Sequence, residues 1–126
     1  MCGRNFEYFS EDPFLAGFLA AGYINGLEDS NVGACIKHYA CNSQEFGRTI
    51  NSSEVSLRAL NEIYLRVFKY ALKYSTPTAV MTSYNKINGE YVNESKYLLQ
   101  KKLREEFNFK GLIIWIGVQF LLKANQ

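Results

Sequence analysis

The sequence predicts an α/β chain built on a parallel sheet, a portion of a β/α barrel or of an open α/β domain. Three apolar runs of strand length, 33–39, 78–84 and 111–117, alternate with segments whose apolar residues recur at helical spacing. No hairpin signature joins one run to the next, so the connections are crossovers and the strands parallel. The first two runs open into long polar loops, and the carboxyl ends of parallel strands are where ligand crevices form. An eight-fold barrel takes ~250 residues, against 126 here. The expectation is therefore a fragment of about three strand–helix units, whose sheet would have two bare edges.

Residues 1–12 are polar and aromatic and should form a loop. Asp12-Pro13 starts a helix, because Asp caps free amides and Pro suits the first helical position. Phe14, Leu15, Phe18, Leu19 and Tyr23 follow at helical spacing up to Gly26, which can end the helix. Asp29-Ser30-Asn31 is a turn. The run Gly33 to Ile36 then reads as a buried strand and switches abruptly to polar side chains at Lys37 and His38.

Residues 40–52 form a polar loop with Asn42, Gln44, Glu45 and Arg48, and Ser53 can cap the next helix. The stripe of that helix is Leu57, Leu60, Tyr64, Val67, Phe68 and Ala71, and Pro77 bars its continuation. The second strand ends at Tyr84 and leads to a polar loop with an Asn88-Gly89 turn. A third helix near 94–107 buries Leu98, Leu99, Leu103 and Phe107, and the third strand follows.

With 48% hydrophobic and 15% aromatic residues the chain is globular material. Its 14 basic and 12 acidic side chains leave a net charge of +2, which gives no reason to expect a nucleic-acid or membrane partner. Cys2, Cys35 and Cys41 lack metal-ligand spacing, so neither a metal nor another cofactor is expected, and Cys35 reads as a small buried hydrophobe. No apolar run is long enough to span a bilayer, and the N-terminus has no signal-peptide core. The expected location is the cytoplasm, and two N-glycosylation patterns, at Asn51 and Asn93, read as chance matches.

Four side chains fall where a ligand would be met. His38 is the only histidine, and Lys37 puts a cation at the same strand mouth. Arg4 precedes a helix and could bond hydroxyls or a carboxylate in bidentate fashion. Tyr84 ends a strand, where its phenol could donate to a ligand oxygen. Each taken alone also fits an ordinary solvated or half-buried side chain. Together they suit a sugar, which needs several donors and acceptors. A carboxylate is missing, for neither Asp12 nor Asp29 ends a predicted strand.

Four stretches resemble glycoside hydrolase family 3 of the β-glucosidase type: Gly3 to Pro13, Lys37 to Glu45, Met81 to Gly89 and Leu103 to Leu112. They occur in the family's order and cover residues 2 to about 114. The resemblance implies an N-terminal (β/α)8, or TIM-type, barrel domain across 1–126. It also implies retaining hydrolysis of non-reducing β-D-glucosyl or xylosyl ends, with a β-glucoside or oligosaccharide as substrate and no cofactor. Arg4, Lys37, His38 and Tyr84 match positions that contact the sugar in the first subsite, and Met81 matches a nearby wall position.

Two departures shape the expected function. The family barrel begins before Met1 with a part that carries an acidic sugar-binding residue, so Met1 reads as an internal start. The third strand should end in Ser-Asp-Trp-Gly, whose Asp is the family nucleophile, but the chain has Ile113-Ile-Trp-Ile-Gly117. The family acid/base lies further on and is missing too. Retaining hydrolysis needs two carboxyl groups about 5–5.5 Å apart, and Glu45, Glu90 and Glu94 lie in loops that nothing places under an anomeric carbon. No catalytic residue is therefore assigned, and an inactive fragment is expected. Residues 115–126 read as an aberrant tail. Trp is encoded by TGG and every Ile codon begins AT, so a shifted frame across Trp115 and Ile116 reads GAT, an Asp codon. The rival readings are a sugar-binding remnant without chemistry and a barrel lyase using Lys37 or Lys86 as a Schiff-base amine.

Overall fold

In the computed structural model, residues 2–115 are described. A 3-10 turn, Asn5–Glu7, interrupts the N-terminal loop. The Asp12 side chain accepts from the Leu15 amide at 2.7 Å, and Pro13 opens α1, Pro13–Asp29. Gly26 does not end this helix. The turn at 30–32 does, with the Ser30 and Val32 amides bonding the Leu27 carbonyl.

The strands β1 (Cys35–Tyr39), β3 (Ala79–Thr82) and β6 (Leu112–Ile114) form a parallel sheet in the order β1-β3-β6. The central strand pairs Cys35 with Ala79 on one side and Ala79 with Leu112 on the other. Register shifts between Ile36 and Tyr39, and the Lys37–His38 and Tyr39–Ala40 peptide bonds are cis. At the amino ends of the strands, Glu28 ties the sheet to α1. Its carboxylate accepts from the Ala34 and Thr78 amides, both at 2.8 Å, and from the Thr78 hydroxyl. These donors hold the Glu28 carboxyl below the usual carboxylate range.

The second crossover begins with β2 (Ser52–Ser53) and α2 (Leu57–Ala59). It continues through a π-helical turn, Leu60–Tyr64, into α3, Arg66–Tyr74. Ser56 caps this run, accepting from the Ala59 amide, and the expected cap Ser53 lies instead in β2. The loop after β3 is also more ordered than its polarity suggests. β4 (Lys86–Ile87) and β5 (Glu90–Tyr91) make a hairpin around Asn88-Gly89, where both residues have positive φ, and β2 pairs with β4. A π-helical segment, Tyr97–Glu106, supplies the third helix, shorter than the predicted 94–107.

The core lies between the sheet and the second and third helices. Tyr39, Leu65, Phe68, Val80, Val92, Leu98 and Leu103 are buried there. Tyr39 packs edge-on to Phe68 and donates its hydroxyl to the Leu98 carbonyl at 2.9 Å. α1 packs differently from its apolar pattern. The buried residues are Ala16, Gly17, Ala21 and Ile24, whereas Phe14, Leu15, Phe18, Leu19 and Tyr23 are exposed. Close approach to α3 requires the small residues: a Cβ on Gly17 would lie 2.5 Å from the Tyr70 Cβ. Phe14 and Phe18 then meet Tyr70 at the rim, with ring centroids at 5.5 and 5.7 Å. Cys35 is exposed rather than buried, because β1 has a partner on one side only among the described residues. No described helix is long and apolar enough to cross a membrane.

Candidate functional site

The carboxyl ends of β1 and β3 are locked together before any functional side chain is placed. The Ser83 amide donates to the Tyr39 carbonyl at 2.8 Å. The Ala40 carbonyl accepts from the Ser83 hydroxyl at 2.8 Å and from Asn85 Nδ2 at 3.3 Å. Ser83 and Asn85 are almost fully buried, so this bracing is shielded from competing water.

Onto that edge the N-terminal loop brings Arg4, Glu7 and Tyr8. Glu7 Oε1 accepts from Arg4 Nε at 2.6 Å, and Glu7 Oε2 forms an ion pair with Lys37 Nζ. Lys37 and Arg4 hold the Glu7 carboxyl below the usual carboxylate range. The adjacent residue, Tyr8, places its hydroxyl 2.9 Å from His38 Nδ1. His38 is almost fully buried. Burial, aided by the cations of Lys37 and Arg4, pushes its pKa down to about 4, so the imidazole is neutral near pH 7.

The loop after β1 contributes a second cluster. Glu45 accepts from Arg48 at 2.6 Å and from Asn42 Nδ2 at 3.1 Å. Arg48 lies over the Tyr84 ring, 4.8 Å from its centroid, a cation–π contact that connects this loop with the end of the second strand. Gly3 approaches so closely that a Cβ there would lie 2.7 Å from Glu45 Cγ. Asn42 Oδ1 is buried without a protein partner, an open acceptor among these charges.

The structure thus brings Arg4 and Lys37 together through Glu7, holds His38 beside them through the adjacent Tyr8, and joins Tyr84 to the neighbouring loop through Arg48. Tyr84 is buried two residues beyond β3. Met81 lies on β3 opposite Ile114. Glu90 is exposed on the hairpin, and Glu94 borders a shallow recess with Ser95, Leu99, Arg104 and Ile113 that shares no residue with the cluster. The resemblance expects the nucleophile near Trp115, the last described residue, and 116–126 lie outside the described residues.

Glu7 and Tyr8 were missed as functional residues. A signal for Glu7 existed, since it follows Arg4 by three residues in a short turn; none marked Tyr8. Burial pushes the Cys41 thiol up to about 12, and partial desolvation raises the thiol of the exposed Cys35, so neither resembles a reactive thiolate. Among the described residues no group of three or more His, Cys, Asp or Glu could hold a metal.

A model of the glycosyl hydrolase family 3 N-terminal domain matches residues 1–118. The chain belongs to glycoside hydrolase family 3. It is 54% identical over 117 residues to β-glucosidase B of Emericella nidulans, covering 91% of this chain and 14% of that protein. It is 48% identical over 114 residues to thermostable β-glucosidase B of Acetivibrio thermocellus, 90% of this chain and 15% of that one. Among solved structures, β-glucosidase 3B from Thermotoga neapolitana in complex with glucose superposes with a TM-score of 0.89 at 50% identity, covering 92% of this chain and 16% of that chain. The β-glucosidase of Kluyveromyces marxianus in complex with glucose gives 0.89 at 43% identity, over 92% of this chain and 14% of that one. The family 3 segment described here thus spans about 15% of the length of relatives such as these.

Proposed function

We propose that this segment forms the sugar-holding side of a retaining β-glucosidase site within a (β/α)8 barrel, taking a terminal β-D-glucosyl or xylosyl residue of a glucoside or oligosaccharide. Lys37, Arg4 and the neutral imidazole of His38 donate hydrogen bonds to sugar hydroxyls, the Tyr84 phenol supplies a further contact, and Met81 lines the wall. The observation that carries this reading is the Glu7 bridge, which gathers Arg4 and Lys37 beside His38 from two segments of the chain. Charge-assisted donors fixed in advance suit a ligand that is uncharged and rich in hydroxyls. Glucose in two related β-glucosidase structures supports the ligand class.

The same cluster does not furnish the hydrolytic step. The nucleophile and acid of a retaining enzyme stand about 5–5.5 Å apart, one attacking carbon and the other protonating the leaving oxygen. Glu7 is engaged by Arg4 and Lys37, and Glu45 by Arg48 and Asn42. Glu7, held below its ordinary pKa, is also the reverse of a general acid. No Asp stands near Trp115, where the family nucleophile is expected, and the chain alone is expected to bind without turning over. Amine chemistry is disfavoured: Lys37 is ion-paired, and Lys86 lies over the Tyr91 ring, unlike the desolvated amines that form Schiff bases.

The test is an assay of the purified chain on an aryl β-glucoside. The expected result is no release above the buffer rate. Sustained turnover that Glu45→Gln abolishes would contradict the reading.

A further inference from the structure

We infer that Tyr8 is a positioning residue for His38: its phenol donates to Nδ1 and holds the imidazole as the Nε2–H tautomer, with that N–H directed to a sugar oxygen. The direction of the Nε2–H rests on the sugar-site reading; the tautomer does not.

The contact is a hydrogen bond rather than a stack. The hydroxyl lies 2.9 Å from Nδ1, while the rings are 6.3 Å apart between centroids and inclined at 45°. The two residues are thirty positions apart, so the pairing is made by the fold and not by local sequence. A neutral imidazole has one donor nitrogen and one acceptor nitrogen, and its partner decides which is which. A phenol is the stronger acid of the two, and the pyridine-type nitrogen is a much stronger acceptor than a phenol oxygen, so the shared proton resides on Tyr8. Burial raises the Tyr8 pKa, which keeps that proton in place. Nδ1 is then the acceptor, and Nε2 must carry hydrogen.

Burial above all, helped by the cations around it, keeps His38 in the neutral form this arrangement needs. Lys37 and Arg4 oppose protonation; of the carboxylates that favour it, Glu7 is shared by those same two cations and Glu45 is paired with Arg48. Tyr8 adds to the cations' effect, because a donor on Nδ1 can serve only the unprotonated ring. His38 therefore acts as a fixed donor and does not shuttle protons.

His38 is the only histidine in the chain, so a long-range 1H–15N spectrum of the full labelled chain contains a single imidazole. The expected spectrum shows protonated Nε2 and a hydrogen-bonded, pyridine-type Nδ1 at pH 7. In Tyr8→Phe the Nδ1 resonance should move downfield, because the hydrogen bond to that nitrogen is lost. An Nδ1–H tautomer in the unmodified chain overturns the assignment without recourse to a variant, as does an Nδ1 resonance that Tyr8→Phe leaves in place. Glucose is then titrated into both proteins, and Tyr8→Phe is expected to weaken its binding several-fold. If the Nδ1 shift is present but glucose perturbs neither protein, the tautomer assignment stands and the sugar-site reading falls.

Discussion

Glu7 and Lys37, thirty residues apart in the chain, meet in an ion pair whose carboxylate also holds Arg4 at 2.6 Å. One side chain therefore sets the spacing of two cations that arrive on different segments. Glu7→Gln keeps the shape and removes the charge. It should weaken glucose binding several-fold, because Lys37 and Arg4 then repel each other unshielded. The unfolding midpoint should change little, since partly exposed ion pairs contribute little to stability. Titration with glucose and thermal unfolding of the same variant separate the two effects.

Stability should fall on acidification in two windows. His38 titrates at about 4 in the fold and about 6.5 when unfolded. Between those values the unfolded state binds the extra proton, so the contribution is complete above pH 6.5 and is lost progressively toward pH 4. Allowing for partial solvent screening, the loss between pH 7 and pH 4.5 is about 1–2 kcal/mol. Glu7 acts in the same direction lower down: its folded pKa is depressed, and its contribution disappears as pH falls below the ordinary carboxylate range. Urea midpoints measured at pH 7 and pH 4.5 check the first window, and His38→Gln should flatten the difference.

Gly17→Ala should destabilise the contact between α1 and α3. The new Cβ would lie 2.5 Å from Tyr70 Cβ and 3.1 Å from the Val67 carbonyl oxygen. Neither neighbour is the free end of a flexible side chain, so the helices must separate. Overpacking of this kind costs typically about 1–3 kcal/mol, which exceeds the ~1 kcal/mol that Ala gains over Gly in a helix interior. A lowered Tm in Gly17→Ala, with Gly22→Ala as the control at an open position, is the expected pattern.

How much was legible in the sequence follows from the range of each interaction. The start of α1 was legible because the Asp12 cap and Pro13 act within one turn. The parallel sheet was legible because its apolar runs alternate with helical stripes, and all three strands fall inside the predicted runs. The two-residue strands of the small hairpin sheet carry no period to read, so the segment looked like loop. The aromatic residues of α1 drew attention away from the side that packs, where Ala16, Gly17 and Ala21 allow close approach. Lys37 and His38 were legible from the polar switch at a strand end. Glu7 and Tyr8 were not, since their roles arise only when the N-terminal loop folds across that end.

Lys37, His38 and Arg4 should act as one sugar-binding group, and a glucose titration of the 15N-labelled chain tests this most directly. The predicted result is a saturable change at the His38 imidazole and at neighbouring amides around Lys37 and Arg4. Lys37→Ala or His38→Ala should weaken it by about tenfold, the equivalent of one hydrogen bond to a charged or fixed donor. A folded chain that shows no saturable change, or the same affinity after Lys37→Ala and His38→Ala, would contradict it.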